Sequence, residues 1–184
     1  YLIIGITDFK SKLKMLHYGS MYPRIKFEGK CQIGENCSFV CTNESSMTLT
    51  NVVFGKNVIL EAKHGGNIEI KNSYVGHNSL IVSVDKIVIE KNWAIAEMVV
   101  IRDQDHSFDF SDRPIGGQGL VSKSILIGSN VWIGAKASIL KGVTIGNNSV
   151  IGAHSLVNKD IEKQSIVAGI PAVLIKSKKT KKND

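Results

Sequence analysis

The stretch that decides the fold is residues 127–162, which read IGSNVWIGAKASILKGVTIGNNSVIGAHSLVNKDIE. Every sixth residue in it is apolar and β-branched, and the position four residues after each repeat start is small or β-branched. The repeat starts are Ile127, Ile133, Ile139, Ile145, Ile151 and Val157. A period of six fits neither the 3.6 residues of a helical turn nor the alternation of a single strand. It is typical of the hexapeptide repeats of a parallel β-helix.

Such repeats predict an all-β fold in the shape of a triangular prism. Three short strands, one hexapeptide each, make a coil of about 18 residues whose repeat residues point inward. Successive coils stack about 4.8 Å apart, as neighbouring strands do in any sheet. Gly or Asn is expected at the corners, where the backbone needs a positive φ. One coil cannot bury its own apolar face, so the stack is the cooperative unit.

A weaker apolar-x-x-Asn pattern extends the repeat toward the N-terminus. The pattern occurs six times, and the distance from one start to the next matches a coil of about 18 residues only for the last pair. The first two distances are slightly longer than a coil, the third is shorter and the fourth is much too long. We interpret them as coils with small insertions or deletions and one long loop. The starts are Ile33, Phe54, Val75, Ile89, Ile127 and Ile145. The sequence therefore predicts six or seven coils in one β-helix domain spanning residues 25–175, interrupted by a loop at 102–124.

Both ends of the chain lack the repeat. Residues 1–24 are predicted to close off the first coil, with a short helix or an irregular cap near residues 8–16. Residues 176–184 are predicted to form a short basic tail. Five lysines fall in these last nine residues: Lys176, Lys178, Lys179, Lys181 and Lys182.

Composition narrows the class of protein. The chain has 184 residues, 43% of them hydrophobic, which is enough for one domain with a substantial core. No apolar run approaches the length of a membrane span, and the apolar start at residues 1–4 is too short for a signal sequence. We therefore expect a cytoplasmic protein with no membrane span.

The three cysteines are predicted to be structural. Cys31 and Cys37 fall at the same small, inward position of successive repeats, whereas structural zinc uses closely paired ligands such as C-x₂-C. Buried thiols are therefore favoured over a metal site. With three cysteines and no secretion signal, a disulfide framework is not expected.

The predicted loop is where chemistry is expected, because insertions in solenoids project from one face and often form the binding site. It contains His106, and histidine titrates in the range that a general base needs. A carboxylate beside the imidazole would fix its tautomer, and Asp103 and Asp105 are the adjacent candidates, with a backbone carbonyl as the alternative.

Three motifs together resemble the hexapeptide-repeat acyltransferases, in particular the galactoside, maltose and surface-polysaccharide sugar O-acetyltransferases. They are Asp105-His106-Ser107, the repeats that begin at Ile127-Gly128-Ser129-Asn130-Val131-Trp132-Ile133-Gly134, and the turn Ala168-Gly169-Ile170-Pro171-Ala172. The resemblance is close over residues 101–175 and extends to the earlier coils only in rhythm.

The resemblance implies a left-handed parallel β-helix that forms a homotrimer, with sites between subunits, acetyl-CoA as co-substrate and no metal. It implies transfer of acetyl to a sugar hydroxyl in capsule, O-antigen or other surface-glycan biosynthesis. His106 would be the general base with Asp105 beside it, and Trp132 a platform next to acceptor and thioester. Relatives with Ser at the position of Ala135 imply that an oxyanion donor there is a backbone N–H in this chain. The implied coenzyme-binding residues are Gly134, Ala135, Gly152, Ala153, Asn158, Lys159, Pro171 and Lys176.

The net charge of +7 suits coenzyme phosphates or an acidic glycan acceptor, and no nucleic-acid module accompanies it. One alternative is an N-acetyltransferase for an amino sugar or a nucleotide-linked amino sugar, which would share the fold and the coenzyme. A zinc hydratase resembling the γ-type carbonic anhydrases needs three convergent histidines, but no two histidines here lie within twelve residues of each other. A non-enzymatic scaffold would need neither the loop histidine nor the Gly-Ile-Pro-Ala turn.

Overall fold

The computed structural model describes residues 9–42 and 44–178, which form a parallel β-helix of six coils and part of a seventh behind one helix, α1 (Phe9–Met21). The first face stacks β1 (Ile25–Glu28), the start of β4 (Ser46–Phe54), the start of β6 (Asn67–Val75), β8 (Lys86–Ile89), β13 (Ile125–Ile127) and β16 (Thr144–Ile145). The predicted left-handed β-helix with one extended loop is confirmed.

The other two faces continue the prism. The second face stacks β2 (Gln32–Ile33), the ends of β4 and β6, β9 (Trp93–Ile95), β14 (Trp132–Ile133), β17 (Val150–Ile151) and β19 (Ser165–Ala168), with β20 (Val173–Ser177) added antiparallel. The third face stacks β3 (Ser38–Cys41), β5 (Ile59–Ala62), β7 (Leu80–Ser83), β10 (Val100–Arg102), β15 (Ser138–Ile139) and β18 (Leu156–Val157). We call the corners between faces one and two, two and three, and three and one the first, second and third edges.

The register of the strands corrects the predicted spacing of the coils. Val75 stacks on Ile95 of the second face, while Ile89 stacks on Ile70 of the first face. The short interval between Val75 and Ile89 therefore joins two different edges and is not a shortened coil. The first two intervals are slightly longer than a coil because the chain has extra residues around the third edge. The strands are longer there, so that β3 buries Cys41 and β5 buries Ala62 as one further inward residue each.

The corners confirm the role predicted for asparagine and correct the one predicted for glycine. All six asparagines of the repeat have positive φ: Asn36, Asn57, Asn78, Asn92, Asn130 and Asn148. The glycines that follow the repeat starts lack a positive φ, so the predicted reason for them is wrong. A Cβ on Gly134 would lie 2.5 Å from the backbone nitrogen of Ala153 in the next coil. Glycine is needed there because two coils approach each other closely.

The core runs the length of the prism. The repeat residues from Ile127 to Val157 are all fully buried, as the hexad predicts. At the N-terminal end the core is aromatic, since the ring centroid of Phe39 lies 5.0 Å from that of Phe54 and 4.9 Å from that of Tyr18 on α1. Burial raises the pKa of the Tyr18 phenol.

Helix α1 covers the end of the first coil, where no further coil of the described chain pairs with its strands. The backbone N–H of Ile33 donates to Ser11 Oγ over 3.0 Å, Tyr18 Oη donates to the Cys37 carbonyl over 2.6 Å, and Lys14 Nζ donates to the Ile33 carbonyl over 3.0 Å. These contacts support the capping role proposed for residues 1–24, of which 1–8 lie outside the described residues. The predicted boundary at Ile175 falls inside β20, and residues 179–184 of the predicted tail also lie outside the description.

The cysteines lie at the same end of the prism, as free thiols. Cys31 is fully buried, as predicted, and Cys37 is half-buried. Their Sγ atoms donate to the carbonyls of Leu49 and Gly55 in the second coil, over 3.2 and 3.1 Å. Burial raises the pKa of both thiols and that of Cys41.

Candidate active site

The extended loop leaves the prism at the third edge as a β-hairpin. Strand β11 (Gln104–His106) pairs antiparallel with β12 (Leu120–Ser122), and His106 lies opposite Leu120. A hydrogen bond of 3.0 Å from Ser107 N–H to the Gly119 carbonyl continues the pairing beyond His106. The His106 side chain is exposed and has no hydrogen-bond partner among the described residues. The hairpin thus holds the backbone of His106 and leaves its imidazole open to a ligand.

The two carboxylates next to His106 have different surroundings. Asp103 is fully buried; its carboxylate accepts hydrogen bonds from Ser83 Oγ (2.6 Å), Val84 N–H (2.9 Å) and Asp85 N–H (3.0 Å). These three bonds fix the base of the hairpin. Asp105 is exposed and forms an ion pair with Lys141. Within the described chain both carboxylates thus bind groups other than His106, and the role of Asp105 in orienting the base stays a prediction.

Lys141 is a residue that sequence reasoning missed. It lies at the third edge of the coil that follows the hairpin, so it meets Asp105 in the first strand of the hairpin. The signal was present in the repeat, because Ile101 and Ile139 are the inward residues that stack on each other across the inserted hairpin. Extending that register by a few residues brings Lys141 alongside residues 103–105.

Trp132 lies on the second face, on the opposite side of the prism from His106. It pairs with Ala94 and Val150 in the neighbouring coils, and its side chain is 56% exposed because the inward position is taken by Ile133. In a triangular prism the third edge is opposite the second face. One chain therefore does not bring Trp132 and His106 to a single site.

The residues implied to bind coenzyme lie in three places: the second edge, the third edge and the C-terminal end of the prism. Gly134, Ala135, Gly152 and Ala153 stack as pairs at the second edge, as shown by the register of Ile133 with Ile151. Asn158 and Lys159 are exposed at the third edge, one coil beyond Lys141. Pro171 follows β19 at the C-terminal end, and Lys176 of β20 lies opposite Ile166. Lys159 also lines a cavity of 220 Å³ at this end of the prism, together with Ser165, Ala172 and Leu174.

The backbone at the second edge differs between coils. In the second coil, the N–H of Lys56 donates to His77 Nδ1 of the next coil over 2.7 Å. Ala135 occupies the same position in the fifth coil, and the residue above it is Ala153, which has no side-chain acceptor. In the part of the chain that the structure describes, the N–H groups of Ala135 and Ala153 have no acceptor. Two stacked donors are thus available to a ligand along this edge.

The described residues contain no group of three His, Cys, Asp or Glu side chains arranged to hold a metal ion. Among the same residues, no helix combines the length and apolar character needed to cross a bilayer.

Comparison with known proteins identifies sequence relatives. A family model described as bacterial transferase hexapeptide (six repeats) matches residues 124–159. The chain is 33% identical over 159 residues to the putative lipopolysaccharide biosynthesis O-acetyl transferase WbbJ of Escherichia coli K12, covering 83% of this chain and 74% of WbbJ. It is 36% identical over 163 residues to the galactoside O-acetyltransferase of the same organism, covering 84% and 79% of the two chains.

Comparison with solved structures identifies the same architecture. AntD, an N-acyltransferase from Bacillus cereus solved in complex with dTDP and 3-hydroxybutyryl-CoA, superposes with a TM-score of 0.75. The superposition covers 94% of this chain and 90% of AntD at 18% identity. At that level of identity the likeness shows a shared fold.

Proposed function

The chain belongs to the hexapeptide-repeat acyltransferases, and we propose that it moves the acetyl group of acetyl-CoA to a hydroxyl of a sugar in surface-glycan biosynthesis. The observation that carries this proposal is the similarity, over most of both chains, to two O-acetyltransferases whose names specify lipopolysaccharide biosynthesis and a galactoside. An enzyme using cytosolic acetyl-CoA would work in the cytoplasm, where we place this one.

His106 is proposed as the general base. The acceptor oxygen would attack the thioester carbonyl carbon while the imidazole takes the hydroxyl proton, and the C–S bond would break to release CoA as thiolate, which then receives the proton. A thioester is already activated, so one positioned base is sufficient. The exposed imidazole, with no partner among the described residues, suits this task. Asp105 would orient the base in the assembled site.

A complete site requires more than one copy of the chain. His106 and Trp132 lie on opposite sides of the prism, so they can act on one substrate only if two subunits contribute. Cyclic assembly is the common way to build such sites. We propose a homotrimer of about 60 kDa, three times the mass of the 20.1 kDa chain.

The coenzyme is proposed to lie along the later coils. The N–H groups of Ala135 and Ala153 would donate to the amide carbonyls of pantetheine or to the oxyanion that forms on the thioester carbonyl. Gly134 and Gly152 have no side chain that would keep the coenzyme away from this backbone. Lys159 and Lys176 would approach the phosphates, and Asn158 and Pro171 would border the chain of the coenzyme.

The decisive experiment measures acetyl transfer from acetyl-CoA to a panel of sugars by wild type and His106→Ala. The variant should lose about 10²–10⁴-fold in kcat, with little change in the dissociation constant of acetyl-CoA. His64→Asn is the matched control, because His64 is also exposed at the third edge and Asn tolerates its φ of 54°. A variant His106→Ala that is trimeric and nearly as active as wild type would contradict the proposed base.

The product distinguishes O-transfer from N-transfer. Mild base removes an acetyl ester and leaves an acetamide intact. If only amino sugars accept the group and the product resists base, the enzyme is an N-acetyltransferase, and the hydroxyl acceptor proposed here is wrong.

A further inference from the structure

Helix α1 has two apolar faces, and only one of them contacts the prism. Successive residues of a helix are turned by about 100°. The inner face presents Ser11, Met15 and Tyr18 to the first coil, where Ser11 and Tyr18 form hydrogen bonds and Met15 packs against the core. Capping the prism therefore requires only this inner face.

The outer face carries an apolar stripe made of Phe9, Leu13 and Leu16, which recur at the i, i+4, i+7 spacing of one helix side. Their exposed fractions are 74%, 51% and 70%. Three large apolar side chains on one turn-to-turn line are more than the scattered exposure usual for a soluble surface. The stripe therefore indicates a surface that is covered when the protein acts.

Positive charge flanks the stripe and is concentrated at this end of the molecule. On the helix, exposed Lys12 lies on one side of the stripe and exposed Lys10 on the other, and the helix contains no acidic residue. Residues 9–30 contain six Lys and Arg and one Glu, whereas residues 31–178 contain fourteen Lys and Arg and thirteen Asp and Glu. The described chain is thus nearly neutral except at its first coil and cap.

The apolar stripe and the lysines beside it together favour one kind of partner. A nucleic acid would use the lysines but would gain little from the exposed stripe, and an apolar protein groove would leave the lysines unexplained. A layer of anionic lipid headgroups over acyl chains accommodates both features, since an interfacial helix buries its apolar side and flanks it with cations. We propose that the outer face of α1 docks this protein on an anionic membrane surface.

The geometry of the cap suits a flat surface. The 13-residue helix is about 20 Å long and, among the described residues, forms the layer beyond the first coil at this end of the prism. The inference does not depend on the acetyl acceptor or on the trimer. If the chain is a cyclic trimer with its axis along the prism, three helices would face the same surface and bind more tightly together than singly.

The test is flotation of the full chain with lipid vesicles, once with phosphatidylcholine alone and once with phosphatidylglycerol added. We expect binding only to the anionic vesicles, weakened as salt is raised because the charge attraction is screened. A chain that stays with the soluble fraction on both kinds of vesicle overturns the proposal.

Two variants identify the surface used. Phe9→Gln/Leu13→Gln/Leu16→Gln preserves helix propensity and should lower the partition coefficient by at least about 100-fold, because it removes three apolar side chains from the interface. Lys10→Gln/Lys12→Gln should lower it about fivefold for each lysine. Unchanged binding by the apolar variant would overturn the proposal.

Matched controls exclude general stickiness and other occupants. Phe108→Gln/Phe110→Gln/Ile115→Gln removes exposed apolar side chains from the hairpin, and Lys91→Gln/Lys163→Gln removes two exposed lysines elsewhere; both should bind as wild type. Light scattering accompanies each variant. A stripe variant that changes the oligomeric state would show that the face joins copies of the chain, and binding only after deletion of residues 1–8 would show that this segment covers it. Either result overturns membrane docking.

Discussion

The coils before the hairpin and the coils after it form the same prism but differ in strand register and in core residues. In the later coils, residues 125–157, the register keeps the strict hexad, as in the pairing of Ile127 with Ile145, and the core consists of Ile, Val, Ala and Ser. In the earlier coils the register is longer and uneven, as in the pairing of Leu49 with Ile70, and β4 and β6 run for nine residues around the first edge. Their core contains Phe39, Met47, Leu49 and Phe54.

The difference shows that strict hexad spacing is one way to satisfy the fold and not a requirement of it. In the strict coils the inward residues are small or β-branched, whereas the earlier coils, which have extra residues at the third edge, also bury larger ones. Asparagine is common to both halves: Asn57 donates to Asn78 in the earlier coils and Asn130 to Asn148 in the later ones, each over 2.8 Å. The corners, more than the core residues, define the repeat.

The largest effect is expected in the aromatic core of the earlier coils. Phe39→Ala removes a ring that contacts Tyr18, Phe27 and Phe54 and should lower the free energy of unfolding by about 3–5 kcal/mol. On the same face of the later coils, Ile139→Val should cost about 0.5–1.5 kcal/mol. Urea unfolding followed by circular dichroism measures both. A loss for Phe39→Ala no larger than that for Ile139→Val would show that the aromatic cluster does not stabilise the earlier coils.

Stability should also be sensitive to mutation at the base of the hairpin, where the earlier coils join the later ones. Asp103→Ala leaves the N–H groups of Val84 and Asp85 without their acceptor and leaves Ser83 Oγ with the Asn67 carbonyl alone, and it should cost about 2–4 kcal/mol of unfolding free energy. Asp105→Ala, at an exposed ion pair, should cost less than about 1 kcal/mol. Should the two variants unfold at the same urea concentration, Asp103 would not be the anchor of the hairpin.

Two corner residues allow the cost of an unfavourable backbone conformation to be measured separately from the cost of steric crowding. Asn130 has a φ of 55°, so Asn130→Ala should cost about 1–2 kcal/mol and Asn130→Gly markedly less. Gly134 lacks a positive φ, and Gly134→Ala should be destabilising because its Cβ would meet the backbone of Ala153. Thermal unfolding of the three variants tests this, and an Asn130→Gly variant as unstable as Asn130→Ala would refute the conformational explanation.

A dependence of stability on alkaline pH is also expected from the earlier half, where all three thiols lie. Burial raises the pKa of all three thiols, so the folded chain keeps protons that the unfolded chain loses once the pH exceeds the ordinary thiol pKa of about 8.5. Stability contributed by the protonated thiols is complete below that pH and declines above it, by at most about 1.4 kcal/mol per pH unit and thiol. A Cys31→Ala/Cys37→Ala/Cys41→Ala variant should show a flatter profile; an identical slope would assign the dependence to other groups.

The sequence was informative where each residue's role depends on its own hexad. The inward residues from Ile127 to Val157 and the six corner asparagines could be assigned because each position requires one residue type. The membership of the acyltransferase family followed from motifs on the same coils and is confirmed.

The sequence was less informative where a role depends on which edge a residue occupies. The burial of Asp103 depends on where the preceding coil places residues 83–85, and the pairing of Asp105 with Lys141 depends on which coil stacks across the hairpin. The misread short interval in the earlier coils shows how easily such an assignment fails. The roles proposed for His106 and Trp132 would require contacts between chains, which no pattern within one chain specifies.

The two ends of the prism have a consequence for its length. A parallel coil that ended in the open would present a row of unpaired N–H and C=O groups, a template on which another molecule could extend the sheet. At one end Ser11, Lys14 and Tyr18 of α1 occupy those groups, and at the other β20 lies antiparallel on β19. A further parallel coil would therefore meet a helix at one end and, on the second face, an antiparallel strand at the other, in place of the parallel edge that it needs. Both arrangements oppose the growth of the solenoid end to end into a fibre.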